Sequence, residues 1–273
     1  MASPIKNVVL LGVNVIRVDF SFDSLKAAFT GKDAVISLLG HHAFDAQKTV
    51  IEAAIAAGVK RFIPSEFGVD TSNPEVVSQV PFVVGKKQVV DYLRSREDAI
   101  SWTAVLTGIF FDWGLWQGWL GFDLGKKKVK LWDGGETPFA TTEIDVIGKT
   151  LVALLSRGDA YQQSANTYVH VAGHVTTQLE IWKTLEKVTG EKFEVYTEVD
   201  ATSHGKRVKQ EIADGEWANA LDLLKVVTFD KNQKLGIFPK YWNDLLGLPK
   251  PDMEQTIREV IEGKRKFIVS ESY

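Results

Sequence analysis

Three strand-like runs, each closed by glycine or proline and the first of them continuously apolar, leave this chain few folds to choose from. They are Asp33–Leu39 (D-A-V-I-S-L-L) ended by Gly40, Val59–Pro64 (V-K-R-F-I-P), and Ile100–Gly108 (I-S-W-T-A-V-L-T-G). A run that is apolar at nearly every position suits a strand covered on both faces, and such strands belong to parallel sheets. Between them, Phe44–Ala57 carries apolar residues at helical spacing with Gly58 as a left-handed stop. Pro81–Arg96 reads as a second helix, with proline near its first turn. Strand, helix, strand, helix, strand predicts right-handed crossovers. The expected fold is α/β, a doubly wound, Rossmann-like parallel sheet.

The start of the chain breaks this rhythm. Asn7–Leu11 (N-V-V-L-L) reads as a buried first strand, Gly12 follows, and Val15–Asp19 begins a second strand almost at once. A strand–crossover–strand unit needs roughly 30 residues to return parallel to its start. Gly12-Val13-Asn14 cannot span that return, so the two runs form a tight antiparallel hairpin or one long bent strand. The first βα unit is therefore read as truncated. Two histories fit this segment: a nucleotide binder that has lost its phosphate turn, or a fold that simply begins with a hairpin.

The later part is less regular. Val129–Trp132 and Thr137–Ala140 flank Asp133-Gly134-Gly135 and suggest a hairpin. Ile144–Leu155, Leu179–Val188 and Met253–Glu262 read as helices, and Thr167–Val171 and Phe193–Thr197 as strands. The expected division is a truncated core over residues 1–125 and a smaller α+β substrate or lid region over 126–273, partly interleaved with it.

Composition narrows the function. The net charge is −3 and the densest basic run is Lys126-Lys127-Lys128, expected at a solvated turn, so nucleic acid is not expected as a partner. No apolar run is long enough to span a bilayer, so no membrane partner is expected either. There is no cysteine, and the five histidines lack H-E-x-x-H spacing, so no metal site is expected and a cytoplasmic protein is. A small-molecule substrate remains.

The chemistry-bearing residues gather at strand ends. In R-F-I-P-S-E-F-G (Arg61–Gly68), Pro64, Ser65, Glu66 and Phe67 fall just past the strand, at the sheet edge where open α/β folds bind ligands. Lys86 and Lys87 lie on the following helix, where the plain reading of either is a solvated helix residue. Phe110-Phe111-Asp112-Trp113 and the aromatics after it start at the end of the Ile100–Gly108 strand. Aromatic surface there suits a flat substrate, and it suits core packing equally well. Phe110 and Trp113 are the two expected near the pocket.

That octapeptide, with N-V-V-L-L-G (Asn7–Gly12), D-A-V-I-S-L-L-G (Asp33–Gly40) and T-G-I-F-F-D-W (Thr107–Trp113), resembles the NmrA-like, isoflavone-reductase-like family of atypical short-chain reductases. The likeness covers nearly the whole chain and is closest to fungal members. It implies an NAD(P)H-dependent oxidoreductase, using NADPH or NADH, that reduces a small aromatic or polyketide-like metabolite. In that family the first strand leads into G-x-x-G-x-x-G, a helix, and a second strand whose basic residue selects NADPH. Here only Gly12 survives of that turn, the pattern of an internal deletion, which puts cofactor binding in question. The resemblance places Gly40 and His41 beside the cofactor's ribose and pyrophosphate. It makes Lys86, in K-x-x-V, the general acid/base, with Lys87 as the register-shifted alternative. Thr142 and E-I-D-V-I-G (Glu143–Gly148) resemble the family's structural turn, with Asp145 expected as a helix cap. The Y-x-x-x-K signature of ordinary short-chain dehydrogenases is absent, which agrees with the atypical family. NmrA-like regulators supply the alternative: a non-catalytic dinucleotide sensor, with a partner protein in place of turnover.

Overall fold

The computed structural model describes residues 16–40 and 44–267. In chain order the elements are α1 (Phe22–Phe29), β1 (Ala34–Ile36), α2 (Phe44–Ala56), β2 (Arg61–Ile63), α3 (Pro74–Gln79), α4 (Val84–Arg94) and β3 (Ser101–Leu106). There follow β4 (Ile109–Phe110), α5 (Phe111–Trp116), β5 (Phe122–Asp123), β6 (Lys128–Trp132), β7 (Phe139–Thr142), α6 (Ile144–Ser156) and α7 (Gly158–Gln163). The chain continues through β8 (Thr167–His170), β9 (His174–Thr176), α8 (Gln178–Thr189), β10 (Glu194–Val199), α9 (Ala201–Ala213), α10 (Asp222–Phe229), α11 (Asn243–Leu246) and α12 (Met253–Ile261). Two compact units share these elements. The first takes the described residues up to Ser65, with Gly85–Ala104 and Ala165–Thr167; the second takes Glu66–Val84, Val105–Ser164 and the chain from Tyr168 onward.

The first unit carries the parallel sheet that the apolar runs predict. β1 lies beside β2, with Ala34 opposite Arg61, and β2 lies beside β3, with Phe62 opposite Trp102, both pairs parallel. The full strand order is β1-β2-β3-β8. Every side chain of β2 is buried, including the charged Arg61. Its guanidinium is accommodated because Nε donates to Ser101 Oγ at 2.8 Å and Nη1 to Thr103 Oγ1 at 2.6 Å. A buried charge is tolerated only when its donors are used in this way. α2 ends where expected, with Gly58 at φ 78°. The expected helix over Pro81–Arg96 opens instead with a 3₁₀ turn, Pro81–Val83, before α4 begins.

The strand expected at Val15–Asp19 is not formed: its described residues, Ile16–Asp19, adopt no regular structure. Asp19 Oδ1 accepts from the Ser21 N–H at 2.9 Å, and Ser21 Oγ accepts from the Ser24 N–H to cap α1. Short polar side chains that bond the nearby backbone compete with strand pairing, and here they win. Asn7–Leu11 and the Gly12–Val13 junction lie outside the described residues.

The second unit holds two small sheets, β10-β6-β5 and β4-β7-β9. The hairpin expected between Val129–Trp132 and Thr137–Ala140 is replaced by separation of its two arms. β6 pairs antiparallel with β5 and parallel with β10, whereas β7 pairs parallel with β4 and antiparallel with β9. Asp133, Gly134 and Gly135 all have positive φ (48°, 77° and 77°), which curls the chain away from β6 instead of folding it back. Asp133 anchors the curl, its two carboxylate oxygens accepting from the Ala201 and Lys231 N–H groups. The actual hairpin is β5–β6, and Lys126 and Lys127 sit in its turn. The core of this unit is aromatic: Phe139 meets Phe229 edge to face at 5.0 Å, and Trp132 lies tilted against Phe229 at 6.1 Å.

Gly108 carries the chain from β3 into β4 at φ 63°, and a Cβ there would lie 2.0 Å from the carbonyl oxygen of Ala140. Backbone cannot yield as a side chain can. Gly108→Ala is expected to cost about 2–4 kcal/mol of unfolding free energy, read as a lowered urea midpoint; an unchanged midpoint would show that the turn relaxes freely. Among the described residues no helix is long and apolar enough to cross a membrane.

Candidate active site

The P-S-E-F-G segment leaves β2 and is stitched to the end of β3. In the second unit the Phe67 N–H donates to Val105 O at 2.8 Å, and Gly68 O accepts from the N–H groups of Thr107 and Gly108. Phe67 holds φ at 37°, a value that non-glycine residues reach only when surroundings enforce it. Glu66 is buried, and its Oε2 accepts from Thr71 Oγ1 at 2.7 Å. Its carboxylate thus shapes the loop. Four residues after Glu66, Asp70 lies with Oδ1 3.2 Å from His170 Nε2 and accepts from Ser72. Burial pushes the Asp70 carboxyl up, but the contacts with His170 and Ser72 outweigh it and hold the group below the usual carboxylate range. Pro64 is buried and Ser65 half-buried at the end of the first unit's segment.

Helical geometry separates the two candidate lysines. Positions 86, 89, 90 and 93 share one face of α4, and Val89, Val90 and Leu93 are buried. Lys86 is half-buried and stands on that face. Lys87 is set about 100° round the helix, in line with Asp91 and Arg94, and its ammonium pairs with the Asp91 carboxylate. Both lysines are half-buried, and the helix register sets Lys86 with the buried residues and Lys87 with the Asp91 pair.

In the second unit the aromatic run divides its labour. Phe111 is fully buried and meets the His174 ring edge-on at 5.1 Å. Phe110, on β4, and Trp113, on α5, are only half-buried, and Trp113 leans on Trp119 at 6.5 Å. Asp112 between them is buried. It accepts from Arg265 Nη1 at 2.7 Å and from the N–H groups of Trp113 and Ile144. Burial pushes its carboxyl above the ordinary range despite the guanidinium. Glu143, fully buried, takes the N-cap position of α6 expected of Asp145; its Oε1 accepts from His174 Nε2 at 2.7 Å and from Thr256 Oγ1 at 3.3 Å. Asp145 instead stands in the first turn and pairs with Lys149.

Gly40 is described and exposed, while Gly12 and His41 lie outside the described residues. Past β1, Leu38 is 71% exposed, and among the described residues nothing lies within 4 Å of a Cβ built on Gly40. Sequence reasoning missed Asp112–Arg265, Asp70–His170 and Glu143–His174. Each joins residues far apart in the chain, and no local pattern marks either partner.

The family model of the NmrA-like family matches residues 3–228. The chain belongs to the NmrA-like family. Among relatives, it is 30% identical over 258 residues to oxidoreductase aprR of Aspergillus flavus, covering 92% of this chain and 85% of that protein. It is 31% identical over 190 residues to the isoflavone reductase homolog IRL of Zea mays, covering 67% of this chain and 59% of that one. Among solved structures, the leucoanthocyanidin reductase–NADPH complex from Vitis vinifera superposes with a TM-score of 0.69 at 17% identity, covering 90% of this chain and 85% of that one. The last likeness is one of fold: a Rossmann-like NmrA architecture around the parallel sheet.

Proposed function

We propose that this NmrA-like chain is a reductase of a small aromatic or polyketide-like metabolite, acting in the cytoplasm, with Lys86 as its general acid/base. Family resemblance makes it an NAD(P)H-dependent oxidoreductase in general terms; the substrate class and the proton donor are the proposal. One observation supports the choice of donor: Lys86 stands on the face of α4 that carries the buried Val89, Val90 and Leu93.

Bound NAD(P)H supplies a hydride to an electron-poor carbon. The negative charge that then develops on the substrate must be met by a proton, and the Lys86 ammonium gives it. Lysine ordinarily keeps its proton to roughly pH 10.4, so an ammonium is a proton donor chemically suited to this step. Phe110 and Trp113 offer the flat apolar surface for the substrate. For the cofactor the proposal takes Gly40, Pro64 and Ser65 from the first unit and Phe67 from the second, where Glu66 holds the loop through Thr71. By resemblance Gly12 and His41 complete that set.

The weak point is the phosphate grip. Glycine-rich turns at helix N-termini supply the donors that hold a pyrophosphate, and after Gly12 the chain has no such turn. Calorimetric titration with NADPH tests the reading directly. Micromolar, saturable binding is expected if the remaining edges suffice. No heat up to millimolar NADPH would remove the reductase reading for this chain and leave the partner-binding regulator. If binding is found, NADPH oxidation against aryl ketones, enones and quinones identifies the substrate class.

A further inference from the structure

The second unit contains a cleft that neither the sheet edge nor Phe110 and Trp113 uses. It encloses about 410 Å³, within the range of small-molecule sites. Its walls include Trp116, Trp119, Trp132, Tyr196, Lys130 and Lys225. We propose that it binds a planar aromatic ligand carrying an anionic group, an aryl carboxylate or its equivalent.

The aromatic part follows from how the rings are presented. Tyr196 is 58% exposed and Trp116, although Phe267 lies against its ring at 5.1 Å, is still 40% exposed, so both present apolar surface to the concavity. Tyr196 is placed there by a bulge: Val195 faces Val129 and Thr197 faces Lys130, so Tyr196 is the extra residue between them. Bulges re-aim a side chain at a local cost in pairing, and they recur beside binding sites. The floor is rigid. Gln178, buried, accepts from the Trp132 N–H and donates to the carbonyls of Leu120 and Lys130. Gly121, at φ 94°, lets that loop approach so closely that a Cβ would lie 2.4 Å from Lys130 O.

The anionic part follows from charge. Lys225 Nζ lies 4.7 Å from the centre of the Trp119 ring, and Lys130 Nζ 5.3 Å from that of Trp132. The chain's own ammonium groups thus fill the ring faces that would attract a ligand cation. Lys225 is balanced by Asp222 at 2.9 Å. Asp123, the acid in the cleft wall, is occupied by the Lys126 N–H at 2.9 Å and the Lys126 ammonium at 3.3 Å. Among the described residues no carboxylate pairs with Lys130, so the charge facing a ligand is positive.

The proposal concerns binding alone and rests on no part of the reductase reading. The test is calorimetry of the full chain, without NADPH, using 2-naphthoate and its neutral isostere 2-naphthamide. Saturable one-to-one binding is expected, with the acid favoured about tenfold. Lys130→Met should erase that preference and leave the amide unchanged, while Tyr196→Ala should weaken both ligands. Both side chains reach solvent, so both variants are expected to fold, with circular dichroism as the check. Absence of saturable naphthoate binding up to millimolar overturns the proposal. So does equal affinity for acid and amide, or a Lys130→Met variant that keeps the preference.

Discussion

Lys86→Ala is expected to lower kcat by about 10²–10⁴-fold, the range supplied by a positioned general acid, while affinity for NAD(P)H stays within about twofold. The expectation rests on the face of α4 that Lys86 occupies, in register with the buried Val89, Val90 and Leu93. Lys87→Ala is the matched control: it breaks only a surface pair with Asp91, worth about 0–1 kcal/mol, and should leave turnover unaltered. The pH profile adds a readout that a merely structural lysine would not move. Wild-type turnover should fall as pH rises through the pKa of the donor, and that limb should vanish in Lys86→Ala. Equal turnover in the two alanine variants would transfer the proton to another group.

The second large effect concerns stability. Asp112 is 3% exposed and Arg265 Nη1 lies 2.7 Å from its carboxylate. Removing one partner of a buried pair strands the other charge, whereas removing both can be nearly neutral. Arg265→Met is expected to cost roughly 2–3 kcal/mol at neutral pH, a fall in Tm of about 5–10 °C. Arg265→Met with Asp112→Asn should recover part of that loss. The pH dependence has a definite sign. Burial already holds the folded Asp112 pKa above its unfolded value, so its contribution favours the fold at low pH and is lost as pH rises through the folded pKa. Removing Arg265 raises that pKa further. The gap in Tm between wild type and Arg265→Met should therefore be small near pH 4 and widen toward neutrality. A gap that is constant with pH would mean that packing of the Arg265 stem, not its charge, is what counts.

The parallel sheet was legible because strands such as β3, buried along nearly its whole length, leave a mark in one dimension, mostly apolar runs with glycine or proline where each ends; β1 is covered less fully than its run suggests, with Ile36 38% exposed. The sequence offered Lys86 first and Lys87 as its register-shifted alternative; telling which stands with Val89, Val90 and Leu93 needs the helix register, and the 3₁₀ turn at Pro81–Val83 shows that the helix does not start where proline suggests. The second unit read worst. The hairpin assigned across Asp133-Gly134-Gly135 rested on composition, whereas three successive positive φ values and the grip of Asp133 on Ala201 and Lys231 send the arms into different sheets. Similarly, Val15–Asp19 looks β-forming by residue type, yet Asp19 and Ser21 turn its end into a helix cap.

By itself, then, the sequence determined the α/β class, the family, and the strand ends that carry candidate residues, because periodicity and short motifs are local properties of the chain. Only the tertiary structure decided which side chains are spent. It commits Lys87 to Asp91 and Glu66 to Thr71, and buries Asp112 against Arg265. It also brings Lys130, Tyr196 and Lys225 to one cleft. Those assignments depend on which distant groups meet at a few ångströms, where burial and Coulomb forces act, and no one-dimensional pattern records such meetings.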